Sequence, residues 1–257
     1  MSIVLTKIIK EAIEEDRAYL ILIKGPQGSG KTSLGLKTMH RIYENWGKVF
    51  YNLHFEPIDY LEQNSGKNEI IMFDDAGLWI PRELWYEKDK IRLGQLFNVT
   101  RNIANAVLFT MPSEELPSYL NRKLNYKVVV YKACPSSLKG MYKHPACGVV
   151  YELTYSDVFS RVFLKNTARL AWEKWYPNEV FKVYSMLREV KVLKYKAMAS
   201  LQMKEMEIAK TIIKELNEKI TEYSDKASII LKDLGSGDKE IKDLVRKFNN
   251  SSIKELQ

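Results

Sequence analysis

Eight consecutive residues near the N-terminus, Gly25, Pro26, Gln27, Gly28, Ser29, Gly30, Lys31 and Thr32, have types and spacing suited to one chemistry. The glycines let backbone N–H groups turn inward around an anion, at dihedrals that a β-carbon disfavours. Lys31 sets a point charge where the β- and γ-phosphates of a nucleotide would lie, and the Thr32 hydroxyl is a hard oxygen ligand for Mg²⁺. A helix opening here, with Ser33 in its first turn, would aim the positive end of its dipole at the same phosphates. Residues 25–33 therefore read as a phosphate cradle, with ATP and Mg²⁺ as the expected cofactors. Such a cradle needs an acidic residue at the end of a second apolar strand, and IIMFDD supplies two. Asp74 suits the Mg²⁺ shell, and Asp75 is placed to polarise an attacking water. Thr110, at the tip of the apolar run NAVLFT, is the candidate for touching the γ-phosphate and that water.

These residues must be held by a scaffold, and the pattern around them alternates strand and helix. AYLILIK (18–24) is a short apolar run of buried-strand length, and residues 33–46 carry apolar positions at helical spacing. Further strands are expected at 48–53, 69–75, 105–110 and 126–132, with helices at 58–64, 89–104 and 113–124. Alternation of this kind implies right-handed crossovers, hence an α/β fold with a mostly parallel sheet flanked by helices. Residues 1–135 form the expected core. Residues 126–155 read as a last strand and a β-hairpin with a long basic tip. Residues 156–257 read as a long helical C-terminal region.

Within that region Ala209, Ile213, Leu216, Ile220, Tyr223, Ala227, Ile230 and Leu234 alternate spacings of 3 and 4. That is a heptad seam over 206–234 and predicts a coiled coil, with a long helix packed on its own domain as the alternative. The final stretch, DKEIKDLVRKFNNSSIKELQ, reads as a helical hairpin turning at Asn249 and Asn250, or as the last two helices of a short helix-turn-helix.

GPQGSGKT, IIMFDDAG and NAVLFT, in this order, resemble the additional-strand division of P-loop ATPases, which includes AAA+, RecA-like and HerA/FtsK-like members. The Asp-Asp-Ala-Gly step is similar to that of the bacterial initiator DnaA and the loader DnaC. The stretch FNVTRNIANAVLFTMPSEELPSYLNRK looks closest to ATPases of crenarchaeal fuselloviruses and Sulfolobus plasmids. The resemblance covers roughly residues 16 to 135. It implies Mg²⁺-dependent ATP hydrolysis, with phosphates on 25–32, Mg²⁺ on Asp74 and Thr110 as sensor. It also implies a homo-oligomer in which an Arg reaches a neighbour's site, for which Arg101 and Arg122 are the candidates. Many members carry Glu where this chain has Asp75, and no second-domain sensor Arg of the AAA+ kind is recognisable after Tyr155.

Composition bounds the partners. The 257 residues carry a net charge of +8, which favours an anionic partner such as DNA. The excess concentrates between Arg161 and Lys196, where Trp172, Trp175, Tyr176, Tyr184 and Tyr195 are interleaved with basic residues. Lys139 and Lys143 at the hairpin tip, with Arg169 and Lys174 in that segment, are the candidate DNA contacts. An ordinary solvated surface with core-facing aromatics would carry the same pattern. A nucleotide-gated scaffold for protein partners, without DNA, is the alternative function. No apolar run approaches the roughly 20 residues of a membrane span. The N-terminus lacks a leader pattern, so a cytoplasmic location is expected, the host cytoplasm for a viral protein. Cys134 and Cys147 leave open a single hairpin-tying disulfide, or with His144 an incomplete metal site.

Overall fold

The computed structural model describes residues 3–56, 60, 67–76, 100–112, 118–156, 161–174 and 176–252. The chain divides into two compact units. One holds residues 1–44 and 52–176, and the other holds residues 45–51 and 177–257.

The first unit is α/β around a seven-stranded sheet in the order β2-β3-β4-β1-β5-β6-β7. Its strands are β1 (Tyr19–Lys24), β2 (Leu53–His54), β3 (Asn68–Phe73), β4 (Ala104–Met111), β5 (Tyr126–Tyr131), β6 (Pro145–Ser156) and β7 (Arg161–Glu173). Strands β1 to β5 run parallel, whereas β5–β6 and β6–β7 are antiparallel. Among the described residues, the helices of this unit are α1 (Ile3–Glu14), α2 (Lys31–Tyr43), and the short α4 (Thr100–Ile103) and α5 (Ser118–Lys123).

Strand β1 passes through the centre with both faces covered. Leu22 lies in register with Phe109, and Phe109 with Phe73, whose rings stack at 5.7 Å. Leu20, Ile71, Val107 and Leu124 complete that face. On the opposite face α2 packs against β1, β3 and β4, bringing Gly35 against the Met72 thioether. Each large apolar side chain buried this way contributes roughly 1.5–3 kcal/mol. Strand β2 is only two residues long and does not reach Ile70. The Tyr43 hydroxyl closes that gap, donating to the Ile70 carbonyl at 2.6 Å and accepting from its N–H at 3.1 Å. Burial pushes the Tyr43 phenol pKa well up, which keeps it the neutral donor this bridge requires.

The second unit is helical: α3 (Trp46–Tyr51), α6 (Asn178–Gln202), α7 (Met206–Asp233) and α8 (Asp238–Asn249). Lys247 donates to the Phe50 and Tyr51 carbonyls at 2.9 and 3.0 Å, a cation on the free carbonyl end of α3. Helices α6 and α7 pack against one another. Across their contact Tyr223 donates to Glu189 at 2.6 Å, and Lys219 pairs with Glu189 at 3.2 Å.

Three expectations are corrected here. Residues 48–53 do not form a strand: the segment is mostly α3, whose Val49 and Phe50 are buried within the helical unit. Residues 161–173 are not helical but form β7, so the sheet-bearing unit extends to residue 176 and the long helical region begins at 177 rather than 156. The hairpin expected over 126–155 is present, with β5 and β6 antiparallel and the basic loop between them around a 3₁₀ turn at Ser136–Gly140, although β7 follows it in the sheet. The seam of α7 is buried from Ala209 to Ala227, but its last turn buries Leu231 in place of Ile230. That drift is the broad stripe of a helix packed within its own chain, here with α6.

Helix α8 ends at Asn249, as the terminal pattern predicted, and residues 253–257 lie outside the described part. Most of the helices expected at 58–64 and 89–104 also lies outside it. Cys134 and Cys147 are bonded, with α-carbons 5.7 Å apart, and tie the ends of the β5–β6 loop. That bond removes the His144–Cys147 metal reading. Among the described residues no group of three His, Cys, Asp or Glu side chains could hold a metal ion. No described helix is long and apolar enough to cross a membrane.

Candidate nucleotide site

The loop 25–30 leaves the C-terminal end of β1 and runs into the N-terminus of α2. Gly30 caps that helix with φ 100, the left-handed region where L side chains are strained. Gly25 faces a different constraint, since a β-carbon there would lie 2.3 Å from the Val130 carbonyl oxygen of β5. The loop is thus built from glycine for two distinct reasons, one of dihedral and one of close approach. Pro26, Gln27 and Gly28 are exposed, while Ser29 and Ser33 are buried.

Lys31 is 8% exposed and donates from Nζ to the carbonyls of Gly25 at 2.7 Å and Pro26 at 3.0 Å. Burial lowers its pKa, and the nearby Asp75 and Asp74 carboxylates partly offset that. The ammonium is therefore desolvated and held at the mouth of the loop.

Strand β4 separates β1 from β3, and all three C-terminal ends converge on one cluster. Asp74 follows β3 and is fully buried. The Thr32 hydroxyl lies 3.0 and 3.2 Å from its two carboxylate oxygens, and Thr110 of β4 donates to it at 2.5 Å. Thr110 Oγ1 also accepts the Asp75 backbone N–H at 2.9 Å. One hydroxyl thereby fixes both aspartates, and Asp75 is held at φ 51, a strained backbone for a residue with a side chain. The hydroxyl that sequence reasoning offered to the γ-phosphate is engaged with these two residues.

Other candidates fall elsewhere. Arg101 lies in α4, and its side chain is outside the described part. Arg122 is exposed on α5 with its guanidinium 5.2 Å from the Tyr155 ring centre. Lys143 is exposed in the β5–β6 loop, whereas the Lys139 side chain and Trp175 are outside the described part. Trp172 is 2% exposed, so it offers no stacking face. Arg169 is exposed on β7 and shares an open depression with Tyr131 and Tyr151, two aromatics not anticipated as its neighbours.

Lys174 is the residue whose place sequence reasoning missed. It stands against the loop, with Nζ 3.3 Å from the Gly28 carbonyl, and its own carbonyl accepts the Ser33 hydroxyl at 2.5 Å. No local pattern links positions 28 and 174, because their approach follows from β7 being the last strand of the sheet.

Two viral proteins are similar to part of this chain. The chain is 33% identical over 123 residues to the uncharacterized protein B-251 of Sulfolobus spindle-shape virus 1. It is 27% identical over 138 residues to the uncharacterized protein ORF286 of Acidianus two-tailed virus. These matches cover 42% and 49% of this chain, and 49% and 48% of the relatives, so the chain spans about half their length. No protein-family model matches. Among solved structures, the N-terminal domain of zonular occludens toxin from Neisseria meningitidis aligns with a TM-score of 0.35 and 14% identity, over 64% of this chain and 97% of that one.

Proposed function

We propose that the chain is a Mg²⁺-dependent P-loop ATPase of the additional-strand division that acts on DNA as a homo-oligomer. The observation that carries this reading is the meeting of Thr32 and Asp74 at 3.0 Å, joining the helix after β1 to the end of β3 with β4 and its Thr110 between them. A hydroxyl and a carboxylate at that distance are two hard oxygen donors suited to a Mg²⁺ shell. The glycine-built loop and the N-terminus of α2 fit a phosphate chain beside them. Bound Mg²⁺ would neutralise charge on the β- and γ-phosphates.

The chain's own groups do the rest. Loop N–H groups hold the phosphates, and Lys31 shifts its ammonium from the Gly25 and Pro26 carbonyls to phosphate oxygens. Asp75, positioned by Thr110, accepts a hydrogen bond from the attacking water. Arg101 and Arg122 are the candidates for completing a neighbour's site.

Support for DNA comes from the net charge of +8, exposed Lys143, and Arg169, which lines one depression with Tyr131 and Tyr151. A cation near aromatics suits the backbone and bases of a single strand. The burial of Trp172 and the attachment of Lys174 to the loop remove two of the expected contacts, which favours the rival reading of a nucleotide-gated scaffold. Steady-state ATP hydrolysis by the purified protein, with and without single-stranded DNA, separates them. The proposal expects Mg²⁺-dependent turnover that DNA accelerates. Turnover indifferent to DNA, with no binding at low salt, would leave the scaffold.

A further inference from the structure

We propose that Lys174, at the end of β7, is a second phosphate-binding cation of the nucleotide site, delivered by the last strand of the same chain's sheet. This rests on the P-loop reading of residues 25–32.

The end of β7 is fastened through its main chain. The Ser33 hydroxyl donates to the Lys174 carbonyl, Lys37 Nζ donates to the Glu173 carbonyl, and the Lys174 N–H donates to the His144 carbonyl at 2.9 Å. All three bonds use main-chain atoms of the strand. The Lys174 side chain is therefore not needed to hold β7 in place, yet it lies along the loop. Its Cγ is 3.2 Å from the point a β-carbon on Gly30 would occupy, and its Nζ rests on the Gly28 carbonyl. Lys31 rests in the same manner on Gly25 and Pro26, so two ammonium groups approach the loop backbone, one from α2 and one from β7.

The charge beside Lys174 is also arranged to favour an anion. The carboxylate of Glu173 accepts the backbone N–H groups of Lys143 and His144 at 2.8 to 3.1 Å, which ties it to the β5–β6 loop. Two buried donors in the same place have no hydrogen-bond partner: the Ser29 hydroxyl, and the Trp172 indole N–H, 3.5 Å from the same point above Gly30. A buried donor left unpaired costs about 1–3 kcal/mol, and a phosphate oxygen would recover that. Cations and unpaired donors gathered on a glycine-built loop describe a polyanion site wider than the eight-residue motif.

The test is equilibrium binding of ATP and of inorganic tripolyphosphate, both with Mg²⁺. It compares the wild-type chain with Lys31→Ala, Lys174→Ala and Lys174→Arg, alongside the melting temperature of each without nucleotide. The proposal expects Lys174→Ala to weaken both ligands about tenfold, the loss of one charge-assisted hydrogen bond. The melting temperature should hold, because the strand's fastenings are main-chain bonds, and Lys174→Arg should recover most of the affinity. Wild-type affinity in Lys174→Ala, with Lys31→Ala defective, would overturn the role of Lys174 and leave the P-loop reading standing. A lowered melting temperature without rescue by Arg would make Lys174 a structural strap and also overturn it. A wild-type chain that binds neither ligand would overturn both readings.

Discussion

The two halves of the sheet are built on opposite terms. From β2 to β1 the strands are parallel, and all eight residues of β4 are buried. From β5 to β7 the pairing turns antiparallel, a disulfide closes the first connection, and the first seven residues of β7 are exposed. Only near its end does β7 enter the core, through Leu170 and Trp172. The parallel half holds Asp74 and Thr110 by surrounding them. The antiparallel half reaches the site as an arm whose base, Glu173 and Lys174, is bonded to the loop and α2. A buried centre and an outlying strand thus meet at one candidate site, and substitutions should separate their contributions.

The largest expected effect lies in the parallel half. Thr110→Val keeps the shape but removes the donor to Asp74 and the acceptor for Asp75 N–H. Displacement of both aspartates should lower ATP turnover about 100-fold. Steady-state hydrolysis measures this, and wild-type turnover would show that the shared hydroxyl does not organise the site. In the antiparallel half, replacing Cys134 and Cys147 together by Ser opens a loop of 13 residues' separation. Stability should fall by about 3 kcal/mol in denaturant titration. The two ends of β7 should then differ. Leu170→Ala, 3% exposed, should cost about 2–3 kcal/mol, while Phe163→Ala, 51% exposed, should cost less than about 0.5 kcal/mol. Equal losses would mean that the exposed end of the arm is covered in solution.

The same contrast explains what could be read from the sequence. A parallel strand buried on both faces appears as an unbroken apolar run, so YLILIK, EIIMF and AVLF announced themselves, and each strand end marked a candidate site residue. β7 carries no such run and no alternation: Val162, Phe163 and Leu164 are adjacent and exposed, and its basic residues resembled a helix surface. WGKVFY misled in the other direction. Val49, Phe50 and Tyr51 favour a strand, but Phe50 is buried with the helical unit, where tertiary packing overrides propensity. The heptad seam of α7 was legible as a stripe, but its partner was not, because a 3-4 spacing fits a helix of the same chain as well as a second copy.

The smallest predicted effect tests that helical pairing. The Tyr223 hydroxyl, the principal cause, and Lys219 hold the Glu189 carboxyl below its ordinary range. A depressed folded-state value contributes stability above the unfolded carboxylate pKa and loses it as pH falls through the folded one. Tyr223→Phe should therefore narrow the difference in stability between neutral and acid pH, followed by helix signal in denaturant titrations. An unaltered acid limb would detach this contact from the pairing of α6 with α7.

The central claim is that Gly25–Thr32 and Asp74 form one Mg²⁺-nucleotide site, and ATP affinity with and without Mg²⁺ in the wild-type chain and in Lys31→Ala tests it most directly. The account predicts Mg²⁺-dependent binding that falls to the detection limit in the variant, because the ammonium resting on the Gly25 and Pro26 carbonyls is the one that moves to the phosphates. Binding of equal strength in both proteins, or binding unaffected by Mg²⁺, would contradict it.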